Sequence, residues 1–140
     1  DIDGSRVRLI IGHAFGHESP VHSFVKTLYL EVRTPADGQF ELPPTVSELA
    51  VYLVNGTVSV DGETLDAGTM AVMRSGAGIR LQALSDARFM VLGGEPVGHR
   101  EIWWNFVAPT EARIEAAKTE WRNGGFDRID GDDEFIPLPD

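Results

Sequence analysis

Leu49-Ala50-Val51-Tyr52-Leu53-Val54-Asn55-Gly56-Thr57-Val58-Ser59-Val60-Asp61-Gly62-Glu63-Thr64-Leu65 contains two short apolar or alternating runs, each followed by a dipeptide suited to positive φ. Asn55-Gly56 separates Leu49–Val54 from Thr57–Val60, and Asp61-Gly62 ends the second run. Both dipeptides fit tight hairpin turns, so residues 49 to 65 are expected to form an antiparallel meander.

The same kind of run recurs on either side, at Val7–Ile11, Thr27–Val32, Gln39–Leu42, Met70–Met73, Ile79–Ala83 and Arg88–Leu92. Runs separated by roughly 8 to 12 residues, with turn chemistry between them, indicate an all-β sandwich or barrel. Pro35 to Gly38 and Pro43-Pro44 are further breaks, because proline cannot donate to a central ladder. The period changes after Val107. Pro109 and Thr110 provide a helix entry, Glu111 sits near the positive end of the dipole, and Ile114, Ala117 and Trp121 share one face before Asn123-Gly124-Gly125 ends it. One such helix is too little for an alternating βαβ fold. The expected organisation is one domain, with strands over residues 1–107 and a helix and extended tail over 108–140 packed on it.

The 140 residues, 42% hydrophobic with 15 glycines and 8 prolines, fit one turn-rich globular domain. A net charge of −10, from 22 acids against 12 bases, disfavours nucleic acid and anionic membranes as partners. Residues 127–140 hold six of those acids and one arginine, a solvated acidic tail. The absence of cysteine removes disulfides and thiolate metal sites and suits a reducing cytoplasm. No apolar run approaches the ~18 residues that span a bilayer, and the amino terminus lacks a signal-peptide pattern. The chain begins at Asp1 rather than methionine, which suggests a piece of something longer.

Several motifs together resemble the carboxyl-terminal half of a pirin-family protein. They are Val51 to Gly56, Gly93-Gly94-Glu95-Pro96, Trp103-Trp104-Asn105-Phe106-Val107, the helix carrying Ala117-Lys118 and Trp121-Arg122, and the tail Phe135 to Pro139. The resemblance implies a single cupin-type antiparallel β-barrel, a double-stranded β-helix or jelly roll, with one helix and an extended tail. Pirins are two-cupin proteins whose amino-terminal barrel holds iron through histidines and a glutamate, while the carboxyl-terminal barrel has largely lost its ligands. Some are associated with quercetin dioxygenase activity, others with regulation through protein partners.

The resemblance therefore implies a non-catalytic, metal-free domain that braces an amino-terminal cupin and offers an interaction surface. Iron is expected only in that missing cupin, as in a quercetinase-like dioxygenase, and the partner is that cupin or a second copy of this chain. Ligand slots can be located by residue. Counted from Gly38, the histidine slots fall on Pro44 and Val46. Counted back from Gly56, the glutamate slot falls on Leu49 and the histidines on Pro43 and Thr45 or on Leu42 and Pro44. In the second motif, framed by Gly68 and Gly76, the histidine slot is Ile79. No register supplies an imidazole.

His13, His17 and His22 are the only histidine cluster. On one helical turn, His13 and His17 could serve zinc with Glu18 or His22 as third ligand. Gly12, Gly16 and Pro20 instead argue for a loop, where the spacing sets no common direction. The alternative function is thus an independent small-molecule-binding or metal-dependent cupin using that loop. Asp130, Asp132 and Glu134 fit a calcium loop incompletely and are expected to form an acidic turn. Glu31, Glu41 and Glu48 have no evident partner and are expected to be solvated. No serine lies in a Gly-x-Ser-x-Gly elbow. Adjacent residues of an extended segment point to opposite faces, so Trp103 and Trp104 are expected to diverge. Trp103, Trp104 and Phe106 are accordingly interface candidates, unless the helix and the Phe135–Pro139 tail cover both rings.

Overall fold

In chain order the strands are β1 (Arg6–Ile11), β2 (His13–Ala14), β3 (His17–Glu18), β4 (Thr27–Thr34), β5 (Gln39–Leu42), β6 (Glu48–Asn55), β7 (Thr57–Val60), β8 (Glu63–Asp66), β9 (Met70–Val72), β10 (Ile79–Ala83), β11 (Ala87–Gly94), β12 (Glu101–Trp103) and β13 (Phe106–Ala108). One helix, α1 (Glu111–Arg122), follows. The structure is a computed structural model describing residues 1–139. It groups Asp1–Pro96 into one compact unit and the residues from Val97 onward into a second. The β12–β13 ribbon therefore goes with α1, whereas the boundary drawn from the sequence follows Val107. Among the described residues, no helix is long and apolar enough to cross a membrane.

In the first unit, alternation sorts side chains between a core and two outer faces. The antiparallel order β1-β4-β11-β6-β9 makes a five-stranded sheet, and β5-β10-β7-β8 a four-stranded one. Leu28, Leu30 and Val32 of β4, Leu49, Val51 and Leu53 of β6, and Phe89 and Val91 of β11 are buried from the first sheet. Phe40 and Leu42 of β5, Val58 and Val60 of β7, and Ile79, Leu81 and Ala83 of β10 are buried from the second. All belong to one hydrophobic cluster. Phe40 and Phe89 join the sheets edge to face, with ring centroids 5.4 Å apart. This is the all-β jelly-roll arrangement of a cupin, made of two sheets that share one core.

The meander expected over residues 49 to 65 is only half right. β6 pairs with β11 and β9, while β7 pairs with β10 and β8, so Asn55-Gly56 is a corner between the two sheets rather than a hairpin turn. Gly56 lies at φ +88, and a Cβ there would stand 2.3 Å from the Asp86 carbonyl oxygen. Close approach between chain segments, not hairpin geometry, thus requires the glycine. Asp61-Gly62 is the true hairpin turn: both residues have positive φ, +50 and +85, as a type I′ turn requires.

In the second unit, β12 and β13 pair through Trp103 and Phe106 around a Trp104-Asn105 turn. Thr110 caps α1 by accepting from the Arg113 amide, and Glu111 lies in the first turn. At the other end the Gly124 amide donates to the Trp121 carbonyl and the Gly125 amide to that of Glu120, with Gly124 at φ +67. This is a Schellman ending. Ile114 and Ala117 are buried, and Trp121 is half-buried.

Candidate functional site

A metal-bearing cupin needs donors where this barrel has hydrocarbon. Leu42, Val46, Leu49 and Ile79, which occupy ligand slots, are buried members of the core cluster. Pro43 and Pro44 are exposed and offer no side-chain donor. Thr45 is half-buried, and its Oγ1 is the one buried side-chain oxygen or nitrogen without a hydrogen-bond partner among the described residues. One hydroxyl beside aliphatic side chains is not a ligand set for iron. Among the described residues, no group of three or more histidines and carboxylates is placed to hold a metal ion.

The histidine segment is a ribbon, not the loop expected from its glycines. β2 and β3 pair His13 with Glu18 and Ala14 with His17 around Phe15 and Gly16, which both have positive φ. Consecutive pairs of a ribbon alternate faces. His13 therefore shares a face with Glu18, while His17 lies on the other with Ala14. Gly12 makes the entry possible: a Cβ there would stand 2.0 Å from the Thr27 carbonyl oxygen. His22 lies beyond β3, its ring edge-on to Phe24 at 4.9 Å. His13, Glu18, His22 and Thr45 line one open cleft of about 480 Å³, yet the imidazoles do not converge. His99 is exposed, with Nε2 2.8 Å from Glu101 Oε1. Asp130, Asp132 and Glu134 are exposed too, and Asp132 Oδ1 accepts from the Glu134 amide.

Trp103 and Trp104 do not diverge. Their ring centroids lie 6.5 Å apart. Alternation fails because Trp104 sits in the turn, at φ +50, rather than in a strand. Phe106 stacks on Trp103 at 6.3 Å, and Trp104 meets Trp121 edge to face at 5.3 Å. Phe126 stacks on Phe106 and Phe135 on Trp121, while the Trp121 indole donates to the Ile136 carbonyl over 2.9 Å. Lys118 Nζ stands 4.1 Å above the Trp103 ring. Trp103, Trp104 and Phe106 remain half-buried. The Ile102–Val107 pair, on the ribbon's other face, is 72% and 62% exposed.

Two carboxylates that carry the electrostatics were not recognised from the sequence as such. Glu31, expected to be solvated, is only 5% exposed. Its Oε1 accepts from Arg33 Nη2 at 3.0 Å and Arg88 Nε at 2.8 Å, and Oε2 lies 3.4 Å from Arg8. The Arg33 hydrogen bond, followed by Arg88, holds its pKa below the ordinary carboxylate value, against the opposing effect of burial. Reading β4 at period two would have put Glu31 and Arg33 on one outer face. Glu41 and Glu48 are exposed as expected, Glu41 beside Arg80 at 3.1 Å.

Glu95, in Gly-Gly-Glu-Pro, accepts from the Ser47 amide at 3.2 Å and from the Ser47 hydroxyl, with Lys26 3.5 Å away. The Ser47 hydroxyl lowers its pKa first and foremost. Gly93 of the same motif faces the Glu48 carbonyl oxygen, which a Cβ would approach to 2.6 Å. The motif thus fastens the end of β11 to the β5–β6 connection.

Residues 29–127 match the pirin C-terminal cupin domain family. A pirin-like protein of Caulobacter vibrioides is 41% identical over 138 residues, 98% of this chain and 48% of that protein. Another pirin-like protein of the same organism is 34% identical over 73% of this chain and 38% of its own length. A crystal structure of quercetin 2,3-dioxygenase from Acinetobacter baumannii superposes with a TM-score of 0.82 at 26% identity, over 99% of this chain and 48% of that one. The chain spans about half the length of the relatives it matches most fully.

Proposed function

This chain belongs to the pirin family, as its C-terminal cupin domain, and we propose that it serves as the metal-free, non-catalytic half of a two-cupin protein. On this reading it braces an iron-bearing amino-terminal cupin and offers that partner an interaction surface. The filling of the ligand slots supports the reading best: Leu42, Val46, Leu49 and Ile79 are core residues. Each contributes about 1.5–3 kcal/mol by burial where a ligand would need a lone pair. The histidine ribbon adds to this, since its register separates His13 from His17.

The surface on offer is the β12–β13 ribbon, whose Ile102 and Val107 lie open to solvent on the face opposite the half-buried Trp103 and Phe106. Covering a large apolar side chain of this kind contributes about 2 kcal/mol, enough to help select a docking face. Dioxygenase chemistry of the kind the Acinetobacter relative is named for would then belong to the iron-bearing cupin, and the cysteine-free composition is consistent with a cytoplasmic setting. In a full-length protein carrying this domain, stoichiometric iron should survive substitution of His13, His17 and His22 by alanine. Separately purified halves should associate, and Ile102→Asp with Val107→Asp should weaken that association. Iron lost with the histidines would overturn the metal-free assignment, and halves that do not associate would overturn the bracing role.

A further inference from the structure

Four of the 12 basic residues of this acidic chain gather on the outer face of the five-stranded sheet. Register places Arg6 opposite Arg33 on the neighbouring strand and Arg33 opposite Arg88 on the next, with Asn55 beyond Arg88. Adjacent strands are about 4.8 Å apart, so three guanidinium side chains rise side by side from rigid backbone. Like charges directly opposite one another destabilise a sheet, and the core requires nothing of this outer row. Arg8 stands two pairs further along, opposite Glu31.

Glu31 is the carboxylate that answers this group, and it is fully engaged. Oε1 takes Arg33 and Arg88, and Oε2 faces Arg8. Arg6 forms no ion pair among the described residues, and the outer nitrogens of Arg88 have no acceptor there, since its Nε alone reaches Glu31. Arg6, Arg33, Arg88 and Asn55 line an open cleft of about 470 Å³. Two further acids line it, Asp1 and Asp86; Asp86 Oδ1 is occupied by the Ala36 amide at 2.9 Å. Neither acid forms an ion pair with the row among the described residues. The cleft thus presents spare donors of the kind that bind tetrahedral oxyanions.

We propose that this cleft binds the phosphoryl group of a small molecule, with Arg6 and Arg88 as its principal donors and Arg33, held by Glu31, as a positioning residue between them. A phosphoryl dianion can accept from several directions at once, which suits donors arriving from separate strands better than a single carboxylate fork does. The site is independent of the metal-free assignment, because it lies on the outer face and uses no barrel-interior residue.

The probe is inorganic phosphate at constant ionic strength, with succinate in parallel, followed through the Arg Nε–Hε resonances of the full chain. Phosphate should give saturable shifts at Arg6, Arg33 and Arg88, and Arg6→Gln should weaken binding about ten-fold. Arg6→Gln removes no ion pair, so an unchanged unfolding midpoint should accompany the loss. Arg8→Gln, outside the cleft, should leave phosphate affinity within about two-fold. Absence of saturation, preference for succinate, or an equal loss with Arg8→Gln would overturn the proposal, the last by showing diffuse attraction to a charged face.

Discussion

Glu31 shows how one side chain can organise a surface. Its native pKa is lowered by its arginines, so its stabilising contribution is complete above the unfolded value of about 4.3 and disappears as pH falls through the lower native value. Glu31→Gln should therefore lower the urea midpoint at neutral pH and flatten its decline as pH falls from about 5 into the acid range. A decline as steep as in the parent protein would assign acid sensitivity to other carboxylates. Glu95, held low by Ser47, should behave in the same direction on Ser47→Ala. Gly56 is a different kind of constraint. With φ at +88 and a carbonyl oxygen 2.3 Å from any added Cβ, Gly56→Ala should cost more than about 1 kcal/mol in equilibrium denaturation.

Among the elements, the β12–β13 ribbon breaks an expectation most plainly. Trp104 occupies a positive-φ turn position, where a non-glycine residue costs about 1–2 kcal/mol. Trp104→Gly and Trp104→Ala lose the same ring, yet the glycine variant should be the more stable by about 1 kcal/mol. Equal stabilities would remove the strain from the account. For α1, Thr110→Ala should cost about 1 kcal/mol through loss of the cap to the Arg113 amide, read from the same denaturation curves. Strand positions such as Gln39–Leu42, Thr57–Val60 and Ile79–Ala83 were legible in the sequence because side-chain alternation is local. Pairing was not. Asn55-Gly56 and Asp61-Gly62 carry the same turn chemistry, but only their distant partners, β11 and β9 against β10 and β8, make one a corner and the other a hairpin.

For the whole molecule, an all-β body could be read from the spacing of the runs, the jelly roll from the resemblance of the motifs, and the hydrocarbon in the ligand slots by counting residues from the glycines. The site's electrostatics could not, because Arg6, Glu31, Arg33 and Arg88 meet only through the register of β1, β4 and β11. Phe89→Ala, at the contact between the two sheets, should cost about 3–5 kcal/mol and test whether their shared core governs stability. The central claim is that the barrel of this pirin C-terminal cupin domain carries no metal of its own. Elemental analysis of the chain, purified without a histidine tag, tests it most directly. The account expects no stoichiometric transition metal; one equivalent of iron, nickel or zinc, lost in a His13→Ala/His17→Ala variant, would contradict it.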